Sequence, residues 1–258
     1  MRSLIIAFST YSKIPMPHIK WDEKSMKYSM CWFPMVGAVI GLCSMGCYFI
    51  LMRTGVGSLL SAVLLAVLPL LLTGGIHMDG YLDTVDAKSS YQSKEQRLRI
   101  LKDPHAGAFA MIYGMIYVLL YIALFSEIEK GQILFVAMGY IYSRILSGLA
   151  VVTFRKAKSD GMLATTSDAA AGNVKWILLT ELILWIAGIM VFGRYYSGGL
   201  VYSLACVAAG LLSFIYYRYM SYKWFGGTTG DLAGYFLQVC ELMILLSVVV
   251  AKILLQLL

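Results

Sequence analysis

Charge is scarce in this chain. Only 14% of its 258 residues are Asp, Glu, Lys or Arg, 60% are apolar, and the mean hydropathy is +0.76. Soluble domains carry about 25% charged residues, so the shortage excludes a soluble globular protein and indicates a chain threaded repeatedly through a bilayer. Cysteine is sparse and odd in number. Cys31, Cys43, Cys47, Cys206 and Cys240 all fall inside apolar stretches, which excludes a disulfide framework and gives no metal-ligand spacing. The N-terminus lacks a small-residue cleavage site, so its short apolar run Leu4–Phe8 is not read as a signal peptide. The basic residues form no stripe, which excludes a nucleic-acid partner.

What is present is apolar sequence in span-length blocks. A bilayer core demands about 20 residues per helix, and seven stretches qualify: Met30–Met52, Gly57–Met78, Gly107–Phe125, Gly131–Val152, Val174–Phe192, Gly199–Met220 and Gly234–Leu257. The expected fold is therefore all-α, a polytopic membrane protein of about seven transmembrane helices forming one integral domain over residues 1–258. Residues 1–29, with a short apolar run followed by Lys13, Lys20, Lys24 and Lys27, read as an interfacial segment. Of the 21 Lys and Arg residues, 16 fall on one predicted face and 4 (Arg53, Lys130, Arg194 and Lys252) on the other, with Arg144 inside a span. The positive-inside rule places the N-terminus and the long loops in the cytoplasm. All eight aspartates share that face. An inner side rich in charge and an outer side nearly free of it argue against a receptor for an external ligand.

The acidic residues concentrate in GGIHMDGYLDTVD, residues 74–86. Asp79, Asp83 and Asp86 stand at i, i+4 and i+7, so a helix continuing out of the second span projects all three from one face at about 100° per residue. Like charges that close repel unless a cation lies between them, and carboxylates at a membrane boundary are costly without a partner. The pattern reads as a divalent metal site serving an anionic substrate. His77, just before, is either a ligand or proton acceptor, or an interfacial histidine bonded to a carbonyl.

Residues 79–106 form a long predicted cytoplasmic loop, and long ordered loops tend to be functional. It carries Lys88, a helical piece with Arg97 and Arg99, and then Lys102, Asp103, Pro104 and His105. Carboxylates for a metal, with Lys and Arg to take phosphate oxygens, are the parts phosphoryl transfer requires; taken singly, each basic residue is equally an ordinary membrane flank. A second glycine-rich stretch, residues 221–234, holds Gly226, Gly227, Thr228, Thr229 and Asp231. Such a turn opening a helix offers N–H groups to an anion, and its GG-x-x-x-D pattern echoes Gly74, Gly75 and Asp79; the echo is either chance or it places a fourth carboxylate opposite the first three. Arg144, Glu181 and Glu241 lie within spans, where ionisable groups need partners; Arg144 with Glu241 is one pairing.

These elements resemble the cobalamin synthase family, also called adenosylcobinamide-GDP ribazoletransferase. The resemblance is carried by Ile14-Pro15-Met16-Pro17, Phe33-Pro34-Met35-Val36-Gly37, GGIHMDGYLDTVDA (74–87), ILKDPHAGAFA (100–110) and GGTTGDLAG (226–234) followed by Glu241, in the family's order over nearly the whole chain. It implies a magnesium-dependent enzyme of the inner membrane, active on its cytoplasmic face. Such an enzyme joins adenosylcobinamide-GDP to α-ribazole or its 5′-phosphate and releases GMP. It further implies Asp79, Asp83 and Asp86 as magnesium ligands and Asp231 as a further ligand or the group orienting the attacking hydroxyl. Lys102, Arg97 and Lys88 become phosphate clamps, and Asp103 supports Lys102. Tyr81, Tyr91, Phe109 and Trp224 are either corrinoid contacts or members of an interfacial aromatic belt. Beyond the substrates and the lipid, a homo-oligomer is left open.

Two other readings compete. A CDP-alcohol phosphotransferase signature ends in G-x-x-x-D-x-x-x-D, which Gly75, Asp79 and Asp83 satisfy, but its upstream half is replaced here by plain apolar helix. A divalent-cation transporter would run along Arg144, Glu181 and Glu241, with the acidic cluster as its vestibule.

Overall fold

The computed structural model describes residues 1–257, and all regular structure among them is helical. In chain order the helices are α1 (Arg2–Tyr11), α2 (Glu23–Met26), α3 (Ser29–Thr54), α4 (Ser58–Thr73), α5 (Ile76–Ser89) and α6 (Lys94–Ile100). They continue with α7 (Ala108–Ser126), α8 (Ile133–Thr153), α9 (Met162–Ala169), α10 (Val174–Gly193), α11 (Gly199–Phe225) and α12 (Gly230–Leu257). Six of these, α3, α7, α8, α10, α11 and α12, are long and apolar enough to cross a membrane. This is a polytopic membrane protein.

The second expected span, Gly57–Met78, departs from expectation. It stops at Thr73, and α5 leaves α4 at 96°. Gly74 and Gly75 take φ of 63° and 77° in succession, a left-handed pair that only glycine adopts without strain. Their N–H groups close the end of α4 on Leu71 O at 3.2 Å and Leu70 O at 2.9 Å. The helix therefore does not continue through the acidic motif. The motif forms its own helix, α5.

The bundle is built around α8, whose side chains are buried along nearly all of its length. Against it pack α3, α12, α10 and α11. Small residues permit the closest approach, as is usual where lipid supplies no hydrophobic driving force. A Cβ on Gly41 of α3 would stand 2.6 Å from the Ala137 carbonyl oxygen of α8, and Gly37 is seated in the same way on the Tyr140 carbonyl. Within this core the Arg144 guanidinium donates to Glu241 Oε1, to Ser143 Oγ at 2.9 Å and to Tyr140 O at 3.1 Å. Both charges are almost fully buried, so the pairing foreseen from the sequence is present, and it ties α8 to α12. Glu181 is not part of it; it lines a separate groove with Tyr28, Cys31 and Trp185. The N-terminal α1 buries Ile6, Ala7 and Phe8, packed against α3.

Candidate active site

The acidic helix α5 crosses the first turns of α12. Glycine makes the crossing possible from both sides. A Cβ on Gly80 would stand 2.6 Å from the Asp231 carbonyl oxygen, and one on Gly234 would stand 3.0 Å from His77 O. The last helix begins earlier than its apolar pattern suggested, at Gly230 instead of Gly234. Thr229 caps it, its Oγ1 accepting from Leu232 N–H at 3.3 Å and its carbonyl from Ala233 N–H at 3.0 Å. Asp231 therefore sits in the first turn of α12 and Asp79 in the first turn of α5, where the helix dipole favours an anion.

The crossing joins the two acidic motifs. Burial pushes the Asp83 carboxyl up to about 7, with the charges of Asp79, Asp231 and Asp86 adding to the shift. Four carboxylates thus share one field. Asp86 lies over Gly107, at the N-terminus of α7, where any larger residue would overlap its oxygens. Asp79, Asp83 and Asp86 form no ion pair with a basic side chain among the described residues. As the side chains stand, no group of three or more His, Cys, Asp or Glu is gathered closely enough among the described residues to hold a metal ion. The donor set still fits magnesium, which takes one or two carboxylates and keeps several waters; the uncompensated mutual repulsion is what such an ion would relieve.

Around the carboxylates the expected basic residues divide. Lys88 Nζ donates to the Tyr216 hydroxyl at 2.9 Å and stands 4.9 Å from the centre of the Trp224 ring, with Arg97 over the same ring at 6.0 Å. Trp224 thus serves as a platform for two cations. Lys102 pairs with Asp160 at 3.0 Å. The expected support of Lys102 by Asp103 is absent: Asp103 accepts from His105 N–H at 3.0 Å and lies 2.9 Å from His105 Nδ1, a local turn made by Pro104. Tyr81 is also not available to a large ligand, being buried and stacked on Tyr235 at 5.5 Å. Phe109 and Tyr91 are exposed.

Residues 79–106 are mostly helix, α5 and α6, instead of loop. The glycine-rich stretch shrinks likewise, since α11 runs to Phe225. Its backbone does not form an anion cradle. Gly226 N–H is taken by Tyr222 O, Gly227 N–H by Ser221 O and Thr228 N–H by Arg155 O, at 3.2, 3.1 and 2.8 Å. Thr228 O in turn accepts from Ala157 N–H at 2.9 Å, Arg155 Nε donates to Gly226 O at 2.8 Å, and the Thr228 hydroxyl bonds to Tyr217. Gly226, Gly227 and Thr228 weld the loop after α8 to the end of α11. Only Thr229 faces the acidic group, with Oγ1 3.4 Å from Asp231 Oδ2.

That weld brings up a residue the sequence disguised as a membrane flank. Lys158 donates to Leu98 O at 2.9 Å and feels the charge of Asp231 and Asp160. Burial, then the neighbouring Lys102, holds its ammonium below the usual lysine range against those two carboxylates. Lys13 was disguised in the same way. Its N–H donates to Leu72 O at 2.8 Å, its stem covers Gly74, and it lines a polar cavity of about 600 Å³ with Ser9, Thr10, Ser12, Thr73 and Asp79. A smaller, mainly apolar cavity of about 210 Å³ is lined by residues that include His77, Asp79 and Asp231. Asp79 therefore borders both. His77 is buried beneath the carboxylates, among the rings of Tyr11 and Phe33.

A family profile described as cobalamin-5-phosphate synthase matches residues 3–249. A relative from Lachnoclostridium phytofermentans named adenosylcobinamide-GDP ribazoletransferase is 47% identical over 257 residues, covering 98% of this chain and 95% of its own. Relatives of the same name from Treponema denticola and Clostridium perfringens are 33% and 31% identical, covering 95% and 93% of this chain and 96% and 94% of their own. No solved structure matches. A profile running almost end to end, with relatives that align over nearly their full lengths, makes this chain a member of the cobalamin-5-phosphate synthase family.

Proposed function

We propose that the protein is an adenosylcobinamide-GDP ribazoletransferase working at the cytoplasmic face of the inner membrane. It joins adenosylcobinamide-GDP to α-ribazole or α-ribazole 5′-phosphate and releases GMP. One observation carries the reading: the glycine-seated crossing of α5 over α12 brings the helix that bears Asp79, Asp83 and Asp86 against Asp231, and Asp79 borders two cavities of different polarity.

In the reaction the ribazole hydroxyl oxygen forms a bond to the phosphorus nearest the cobinamide, the bridging P–O bond breaks, and GMP leaves with that bond's electron pair. Phosphoryl transfer depends on positioning and charge neutralisation, so no side-chain nucleophile is needed. Asp79, Asp83 and Asp86 would hold magnesium, directly or through its waters, and the bound ion would supply that neutralisation. Asp231, across the crossing, orients the attacking hydroxyl and accepts its proton. Lys13, which lines a cavity with Asp79, and Lys158, which feels the charge of Asp231, hold diphosphate oxygens, and Lys88, Arg97 and Lys102 extend the positive rim. The excess of basic residues on this side supports the cytoplasmic placement.

The test is purified protein in lipid with both substrates and magnesium, following GMP and the corrinoid product by chromatography. GMP appearing one for one with the new nucleotide-looped corrinoid is the expected result. Absence of both with either acceptor overturns the reading.

A further inference from the structure

The small cavity beside Asp79 and Asp231 carries an assignment of its own. Its walls are apolar and partly aromatic, with the Tyr11 and Phe33 rings 4.4 Å apart and the His77 ring 6.3 and 6.1 Å from them. The polar residues Tyr11, His77, Asp79, Ser147 and Asp231 interrupt this lining, and two of them, His77 and Ser147, carry the atoms of interest, Nε2 and Oγ. Both side chains are more than nine-tenths buried, at 4% and 1% exposure, and neither atom has a hydrogen-bond partner. Leaving one such group unsatisfied costs about 1–3 kcal/mol, and here two from different helices, α5 and α8, border one space.

The occupant that matches is flat, mostly apolar and armed with one or two hydrogen-bonding atoms. A phosphate or ribose would meet hydrocarbon on most sides. Guanine presents three or more polar groups along its edge and would leave some of them unpaired. A corrin ring is far larger than about 210 Å³. A benzimidazole-type base has two ring nitrogens, one bonded to ribose and one with a free lone pair. We infer that this cavity seats the base of the ribazole acceptor, with His77 Nε2–H and the Ser147 hydroxyl both directed at its free ring nitrogen and the ribose directed toward Asp231. The assignment rests on the transferase reading above and makes His77 and Ser147 specificity residues for the acceptor.

The test combines turnover with direct binding. His77→Leu and Ser147→Ala should each raise the KM for α-ribazole by about tenfold, as expected for one lost buried hydrogen bond, and leave the KM for adenosylcobinamide-GDP unchanged. His77→Gln, which keeps an N–H near the same place, should recover most of the loss. Separately, free benzimidazole should bind the solubilised wild-type protein in calorimetry and compete with ribazole. Indole, which lacks the accepting nitrogen, should bind at least about fivefold more weakly, and His77→Leu should abolish that preference. The inference is overturned if benzimidazole does not bind, if it binds no better than indole, or if the variants raise both KM values alike. Should His77→Leu not fold, Ser147→Ala and the benzimidazole–indole comparison on wild type decide the matter. Benzimidazole binding without any GMP release would sink the transferase reading and leave the cavity assignment standing.

Discussion

Adding a single methyl group at the α5–α12 crossing should disable the site while leaving the bundle folded. In Gly80→Ala the new Cβ starts 2.6 Å from the Asp231 carbonyl oxygen. Ordinary contact begins near 3.4 Å, so the two helices must separate by about 0.8 Å. That displacement falls on the pair of elements that bring Asp79 and Asp83 to Asp231. Misplacing reacting groups by about 1 Å costs on the order of 10²-fold in rate, so kcat should fall between about tenfold and 10²-fold. Overpacking of this kind costs about 1–3 kcal/mol of stability, less than most folded proteins hold in reserve. The crossing offers its own graded series. Gly234→Ala begins from 3.0 Å and should do less, while Gly188→Ala meets nothing within 4 Å and should leave turnover unchanged. GMP release and thermal unfolding would be measured in the same lipid preparation. Equal turnover in Gly80→Ala and Gly188→Ala, with both folded, would refute the claim that this contact sets the geometry of the carboxylates.

Other outcomes follow from the same structure. Turnover should vanish in EDTA, return with magnesium, and drop by at least about 10²-fold in Asp79→Ala or Asp83→Ala, since a metal stabilising developing charge supplies several kcal/mol; full activity in both variants would remove the proposed ligands. Arg144→Met should destabilise the bundle by about 3–5 kcal/mol by stranding Glu241, and Arg144→Met with Glu241→Leu should regain most of that loss; unfolding in detergent that shows no recovery would contradict the isolated-pair picture. Tyr91 and Tyr195, both strongly exposed, fall on opposite predicted faces. Tyr91→Cys should react with an impermeant thiol reagent only from the cytoplasmic side and Tyr195→Cys only from the other, and the reverse labelling would invert the proposed orientation.

Part of the architecture was readable without coordinates. Apolar runs of bilayer length marked where the spans lie, and Arg144 with Glu241 was one pairing open to the charges inside them, which the structure contains. The spacing of Asp79, Asp83 and Asp86 correctly implied a shared helix. It did not reveal that Gly74 and Gly75 end the span and turn that helix by 96°, because a glycine pair is compatible with both a helix interior and a left-handed cap. The glycine-rich turn misled for a related reason: the potential of an N–H to bind an anion is visible in sequence, but its prior engagement by Arg155, Tyr222 and Ser221 is not.

What the sequence alone determined is what depends on composition and local periodicity: a helical membrane chain, its hydrophobic segments and the clustering of its acids. Only the tertiary structure decided which of those acids meet. Asp79 and Asp231 are far apart in the chain, and what brings them together is the absence of side chains at Gly80 and Gly234. Close approach between two helices depends on both surfaces at once, so neither segment read by itself contains it.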